Sequence, residues 1–395
     1  MKECTNSYNV LAIKISYDIN IHGWRKLMKN KRPFDFWIFA VVILLLSFGT
    51  IMVFSSSYYT SIKLYGEAFY FLRQQILYMG ISIVVLLFTA NFDYRKLGKI
   101  SPILLGISIA LLILVLIPGI GKSFNGAQRW LGIGTKTFQP SELAKLSLIM
   151  FLSFSLSKRA DVLKSFFKGL VPYLLIIGLV GGLVVIEPHL SGALIIVLTG
   201  CVILLCAGAK ISHFAILATP FAAAAFVLMT FVSYRADRIM AWLDPFKYER
   251  DEGWQIVQSL LAIGSGGLFG KGLGQSMQKY LYIPEPYNDY IFAVLAEELG
   301  FIGTFVVMLL FMVFIWRGIK VAMNAPDLFG SLLAIGITSL ITIQFLFNVA
   351  VVTNSIPSTG ISLPFFSAGG TSLIFLMFGV GVLLNISRYS KYERF

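Results

Sequence analysis

The chain has 395 residues, of which 57% are hydrophobic and only 13% charged, with a formal net charge of +13. So little polar surface excludes a water-soluble globule of this size, and lipid has to be the solvent for most of the chain. The basic residues are scattered through short segments between apolar runs instead of forming one domain, which excludes a nucleic-acid-binding module and points to anionic headgroups or phosphates as partners. Of the three cysteines, Cys4 lies in the N-terminal tail and Cys201 and Cys206 share one apolar run. Neither a disulfide framework nor a zinc spacing results, and the paired two are expected to be small core residues.

In chain order, residues 1–33 form a mostly polar tail that closes on Arg25, Lys26, Lys29, Lys31 and Arg32 and lacks the apolar core of a signal peptide. The residues before Met28 carry no pattern, so Met28 is an expected alternative start. Apolar runs long enough to cross a bilayer, about 20 residues each, fall at 34–57, 71–90, 100–118, 140–157, 170–186, 190–209, 212–233, 288–316, 328–352 and 366–387. The predicted fold is therefore an all-α integral membrane protein of about ten helices. It divides into tail 1–33, one polytopic membrane domain 34–387 and a C-terminal tail 388–395. Basic residues concentrate in the tails, in 91–99 and in 158–169, with Lys210, Arg317 and Lys320 on the same side, which places both termini in the cytoplasm.

A long outer loop, about 234–287, separates spans seven and eight, and connections of that length are functional or disordered. Trp242, Trp254, Ile256, Val257, Leu260 and Leu261 recur at near-helical spacing, which predicts an amphipathic helix along the interface. The glycine-rich stretch 264–274 is not a phosphate loop. Ser265 stands where a glycine is needed and Gly272 where Ser or Thr is needed, so its glycines are expected to permit turns and close backbone approach.

Ionisable side chains inside spans are the candidates for chemistry. Glu142 and Lys145 sit three apart at the start of the fourth span, on one helix face. That spacing suits either a structural ion pair or a lysine facing a phosphate and tuned by the glutamate. Before them come Gly126-Ala-Gln-Arg-Trp130 and Gln139-Pro-Ser141, with Ser141 an expected helix cap. Arg129 lies on the side where basic residues are disfavoured. Asp289 opens the eighth span after Tyr282-Ile-Pro-Glu-Pro-Tyr-Asn288, and Glu297 follows about 12 Å deeper. With Glu298 in the same helix, a cavity lined by carboxylates is expected. The last outer loop, Pro357 to Ser372, ends in Gly369-Gly370, a helix start able to present backbone N–H groups to a phosphate.

Taken together, these segments resemble the SEDS family (shape, elongation, division and sporulation proteins), the group containing FtsW, RodA and SpoVE. The resemblance covers about residues 34 to 390 and rests on five ordered motifs. They are Gly126-Ala-Gln-Arg-Trp130; Gln139-Pro-Ser-Glu-Leu-Ala-Lys145; Gly253-Trp-Gln-Ile-Val-Gln-Ser259; Pro284-Glu-Pro with Asp289-Tyr-Ile-Phe-Ala and Glu297-Glu-Leu-Gly300; and Thr359-Gly-Ile-Ser-Leu-Pro-Phe with Ser367-Ala-Gly-Gly-Thr-Ser372. The residues Tyr287-Asn288 and Ala368 depart from the family's usual pattern, and the long loop and the Thr359 motif look closer to FtsW and SpoVE than to RodA.

The resemblance implies processive polymerisation of lipid II, an undecaprenyl-diphosphate-linked disaccharide-peptide, by an inverting glycosyltransferase. Asp289 matches the family's essential outer-loop aspartate and is the expected general base. Arg129, Trp130, Glu142, Lys145, Arg235, Arg238, Glu297, Gly369 and Gly370 are the expected substrate and diphosphate residues. No cofactor motif is evident, and Mg or Mn is compatible with a diphosphate substrate. The implied partner is a class B penicillin-binding protein, a single-pass transpeptidase, alongside other division or elongation membrane proteins. Two other readings compete, a lipid-linked oligosaccharide transporter and a non-catalytic division scaffold. Polar groups gathered at one face favour chemistry over alternating access.

Overall fold

The computed structural model describes residues 32–124, 127–133, 136–159, 163, 165–214, 239–251, 253–280, 282–283 and 286–390. Among these the chain is helical except for one small sheet. The helices are α1 (Phe36–Tyr65), α2 (Tyr70–Asn91), α3 (Tyr94–Leu116), α4 (Pro140–Arg159), α5 (Val171–Ile186, entered through a π-helical turn at Phe166–Leu170), α6 (Leu190–Cys206), α7 (Trp254–Gly266), α8 (Ile291–Met323), α9 (Leu328–Val352) and α10 (Gly370–Ser387). Seven of them (α1, α2, α3, α5 with its entering turn, α8, α9 and α10) are long and apolar enough to cross a membrane. Helix α6 is a shorter apolar helix, and α4 is more polar because Glu142, Lys145, Lys158 and Arg159 interrupt it. The expected span 212–233 falls almost wholly outside the described residues. Cys206 is exposed and Cys201 only partly buried, so the expectation that both are core residues is corrected: the wall of α6 that carries Cys206 faces outward.

One end of the bundle is closed by buried polar contacts. Asp35, Asp93 and Asp327 cap α1, α3 and α9, each accepting a hydrogen bond from a first-turn amide. Two of these caps are shared with neighbours: Asp35 pairs with Arg317, and Asp327 accepts from Tyr94 Oη at 2.5 Å and Arg95 Nε at 3.3 Å. Arg317 was expected in a loop after span eight. It lies instead within α8, which runs on to Met323, and is buried against Asp35. Asn385 of α10 completes the closure, bonding Tyr94 N at 3.1 Å and Ala90 O at 2.9 Å.

At the opposite end stands an antiparallel sheet that the sequence did not predict: β1 (Lys122–Phe124), β2 (Ala127–Ile133) and β3 (Lys136–Phe138), in the order β1-β2-β3. The strands are too short to show a pattern alone, and each needs its neighbour to satisfy its backbone. Alternation puts Ala127, Arg129 and Leu131 on one face of β2, and Ala127 and Leu131 are buried. Phe138 packs against Phe375 of α10, with ring centroids 5.7 Å apart, and Pro140 opens α4 directly after the sheet. Ser141 was expected to cap α4. Proline at the first helical position starts the helix instead, and the buried Ser141 hydroxyl has no partner among the described residues.

Helix α8 is broken at Gly300, whose φ of 66° and ψ of −166° are essentially restricted to glycine. The glycine-rich segment after α7 supplies the missing partners. Phe301 N and Ile302 N donate to Gly267 O and Leu268 O at 2.9 and 3.1 Å, while Lys271 N and Gly272 N donate to Glu297 O and Glu298 O at 3.0 Å each. Broken backbone at membrane depth is tolerated only when protein satisfies it in this way. The expected amphipathic helix is present as α7: Ile256, Val257 and Ala262 are buried on the bundle, Ser259 Oγ donates to Val352 O at 2.8 Å, and Leu261 is exposed. A Cβ at Gly300 would come within 2.2 Å of Gly270 N. Gly300→Ala is therefore expected to lower the thermal unfolding midpoint by an amount equivalent to about 1–3 kcal/mol. A midpoint equal to that of the wild type in detergent would show that the loop does not seat against the break.

Candidate active site

Asp289 lies one residue before the N-cap of α8 and is half-buried. Its main chain is clamped: Asn348 of α9, itself 1% exposed, donates through Nδ2 to both Asp289 O and Ile361 O at 2.7 Å. The adjoining backbone is stitched to the loop before α10, with Ser367 Oγ donating to Asn288 O at 2.8 Å and Ala368 N to Tyr287 O at 3.1 Å. The loop 359–368 is thereby held beside the carboxylate. A Cβ at Gly360 would sit 3.0 Å from Asp289 Oδ2, so glycine there leaves the carboxylate its room. Helix α10 begins at Gly370 with no side-chain cap from Gly369, and Tyr78 of α2 packs so closely on Gly370 that a Cβ would meet its ring at 2.4 Å.

A second group of charges sits at the same end of the bundle. Lys145 Nζ and Glu142 Oε1 pair at 2.8 Å, the lysine 4% and the glutamate 13% exposed. Arg129 projects from the buried face of β2 to the turn between α5 and α6, donating through Nε to Glu187 O at 3.1 Å and through Nη2 to Pro188 O. Burial pushes the Glu187 carboxyl up to about 8, against the opposing pull of Arg129. Burial, then the cations of Arg129 and Lys145, push the His189 imidazole down to about 3. Burial thus favours the uncharged form of both side chains beside Arg129. In the sequence, Glu187-Pro188-His189 marks only the gap between the apolar runs 170–186 and 190–209. The signal missed there is a carboxylate and an imidazole together in an otherwise apolar stretch, just as a lone asparagine in span nine was the sign of Asn348.

The structure does not place the remaining candidates with either group. Glu297 is fully buried and receives hydrogen bonds from Lys271 Nζ at 2.7 Å, Ser276 Oγ at 2.5 Å, and the backbone of Met277 and Gln278. Glu298, equally buried, is held by Ser55 Oγ at 2.6 Å and Lys279 Nζ at 3.1 Å. The expected carboxylate-lined cavity is thus replaced by a packed joint in which both glutamates hold the inserted loop. Trp130 occupies the face of β2 opposite Arg129. Arg235 and Arg238 lie outside the described residues. Among the described residues, no three His, Cys, Asp or Glu side chains converge as a metal shell.

The chain matches the cell cycle protein family model for FtsW, RodA and SpoVE over residues 36–392. It is similar to stage V sporulation protein E of Bacillus subtilis strain 168, at 45% identity over 91% of this chain and 98% of that protein. It is also similar to a probable peptidoglycan glycosyltransferase FtsW of Geobacter sp. strain M18, at 40% identity over 91% and 98%. Among solved structures, one described as a peptidoglycan synthase complex coordinating polymerisation and crosslinking superposes with a TM-score of 0.74, at 27% identity over 90% of this chain and 98% of that one. The rod shape determining protein RodA of Thermus thermophilus superposes with a TM-score of 0.67, at 26% identity over 91% and 98%. With its apolar helices and this match along nearly its whole length, the chain belongs to the FtsW/RodA/SpoVE family and is a multi-pass protein of the bacterial cytoplasmic membrane.

Proposed function

We propose that the chain is a peptidoglycan glycosyltransferase that polymerises lipid II at the outer face of the membrane. The relatives named as peptidoglycan glycosyltransferases support a polymerase role. The observation that carries the finer reading is the half-buried Asp289, its main chain clamped by Asn348, at the same end of the bundle as the cations Arg129 and Lys145.

In this reading Asp289 accepts the proton of the acceptor sugar's 4-hydroxyl as that oxygen attacks the donor's anomeric carbon. The bond from that carbon to the diphosphate oxygen breaks, and the diphosphate leaves with the electron pair. Its charge is taken up by Arg129, by Lys145 and by the uncapped start of α10 at Gly369-Gly370. A single attack from the face opposite the leaving group inverts the anomeric centre. Fixed main-chain contacts around Asp289 hold the base in place, and the ion pair with Glu142 holds the Lys145 ammonium in position.

The partner in this reading is a class B penicillin-binding protein, a choice supported by the superposition on a complex that couples polymerisation to crosslinking. The test is polymerisation of purified lipid II by the reconstituted full chain, with and without the candidate transpeptidase and with Mg or Mn supplied. Long glycan strands are expected. Folded protein that makes none under any of these conditions, yet moves labelled lipid II across the bilayer, would replace the polymerase by a transporter.

A further inference from the structure

Glu187 stands out because it is fully buried and neither of its carboxyl oxygens has a hydrogen-bond partner among the described residues. A buried ionised carboxylate without partners is strongly disfavoured, and such groups give up their charge. The Arg129 guanidinium is next to it yet bonds the neutral carbonyl oxygens of Glu187 and Pro188. The other ionisable groups described around this turn are His189, beside Arg129 and Lys145, and the Glu142–Lys145 pair of α4.

We propose that Glu187 is a positioning residue of the diphosphate-binding group: as the neutral acid it leaves the Arg129 guanidinium on the turn carbonyls and turned toward the diphosphate, and as the carboxylate it draws that guanidinium onto itself. The inference rests on reading Arg129 and Lys145 as the diphosphate cations. Proton loss from Glu187 adds one negative charge beside Arg129 and replaces a carbonyl contact by an ion pair. Diphosphate affinity then falls as pH rises through the Glu187 transition.

The experiment is binding of undecaprenyl diphosphate to the full chain in nanodiscs, from about pH 6 to about pH 9.5, for wild type and Glu187→Gln. The wild type is expected to lose about tenfold in affinity across the transition, the worth of one charge-assisted hydrogen bond. Glu187→Gln, which cannot ionise, is expected to keep its neutral-pH affinity throughout. The same alkaline loss in both proteins, or none in the wild type, overturns the proposal. Infrared difference spectra of the wild type supply a reading independent of the variant's folding. The carbonyl stretch of a buried carboxylic acid is expected at neutral pH and should vanish in step with affinity, and its absence at neutral pH is equally fatal. A chain that shows this binding response but never makes glycan leaves the inference standing and removes the polymerase. A chain that polymerises while its binding has no alkaline loss does the reverse.

Discussion

Asp289→Asn is expected to reduce lipid II polymerisation by about a hundredfold to ten-thousandfold, the usual worth of a general base, while leaving the protein folded. The separation of the two effects follows from the geometry. Asp289 is held in part through its main-chain oxygen, bonded by Asn348, and through the stitching of Tyr287 and Asn288 to the loop 359–368. An asparagine keeps all of these and the size of the side chain, so its unfolding midpoint should match the wild type within the range of neutral substitutions, about 0.5 kcal/mol. Turnover and melting are measured on the same preparation. Folded Asp289→Asn that still makes glycan at near wild-type rate would take the base role away from this carboxylate.

The second large effect is on stability. Lys279 and Glu298 form a buried pair, 4% and 0% exposed, with Ser55 Oγ as a third partner. Removing one partner of such a pair strands the other charge, so Lys279→Met is expected to destabilise the protein by about 3–5 kcal/mol. Removing both charges relieves the cost: Lys279→Met combined with Glu298→Met should recover most of the loss. Thermal melts of the four proteins in one detergent close the cycle. If the double variant is as unstable as the single one, the pair acts through specific geometry at the α8 break and not through compensation of charge.

Most of the bundle is legible in the sequence because a lipid solvent enforces long apolar runs, and the runs at 34–57, 71–90, 100–118 and 328–352 reappear as α1, α2, α3 and α9. What escaped has a common physical origin: it depends on contacts between distant segments. The sheet around Arg129 consists of strands of three and seven residues whose stability is tertiary. The break at Gly300 hides in an apolar run, since glycine there reads as an ordinary helix residue until the loop 266–272 is known to fill the gap. For the same reason the glutamates of span eight looked like cavity lining, although the lysines that match them lie 26 and 19 residues earlier in the chain. The site was legible where a motif sat on a helix start, as at Asp289 and at Glu142 with Lys145, and illegible where a turn supplied it, as at Glu187 and Gly360.

The joint at α8 also fixes an order of events during biosynthesis. Lys271 and Lys279 leave the ribosome before Glu297 and Glu298, and each charge entering hydrocarbon by itself costs about 2.5–3.5 kcal/mol. A nascent chain that ends ahead of Glu297 holds two lysines whose carboxylate partners have not yet been made. Once the glutamates emerge, opposite charges meet and the broken backbone finds its partners in the same step. The loop is therefore expected to seat against the break only after the chain has been made through Glu298.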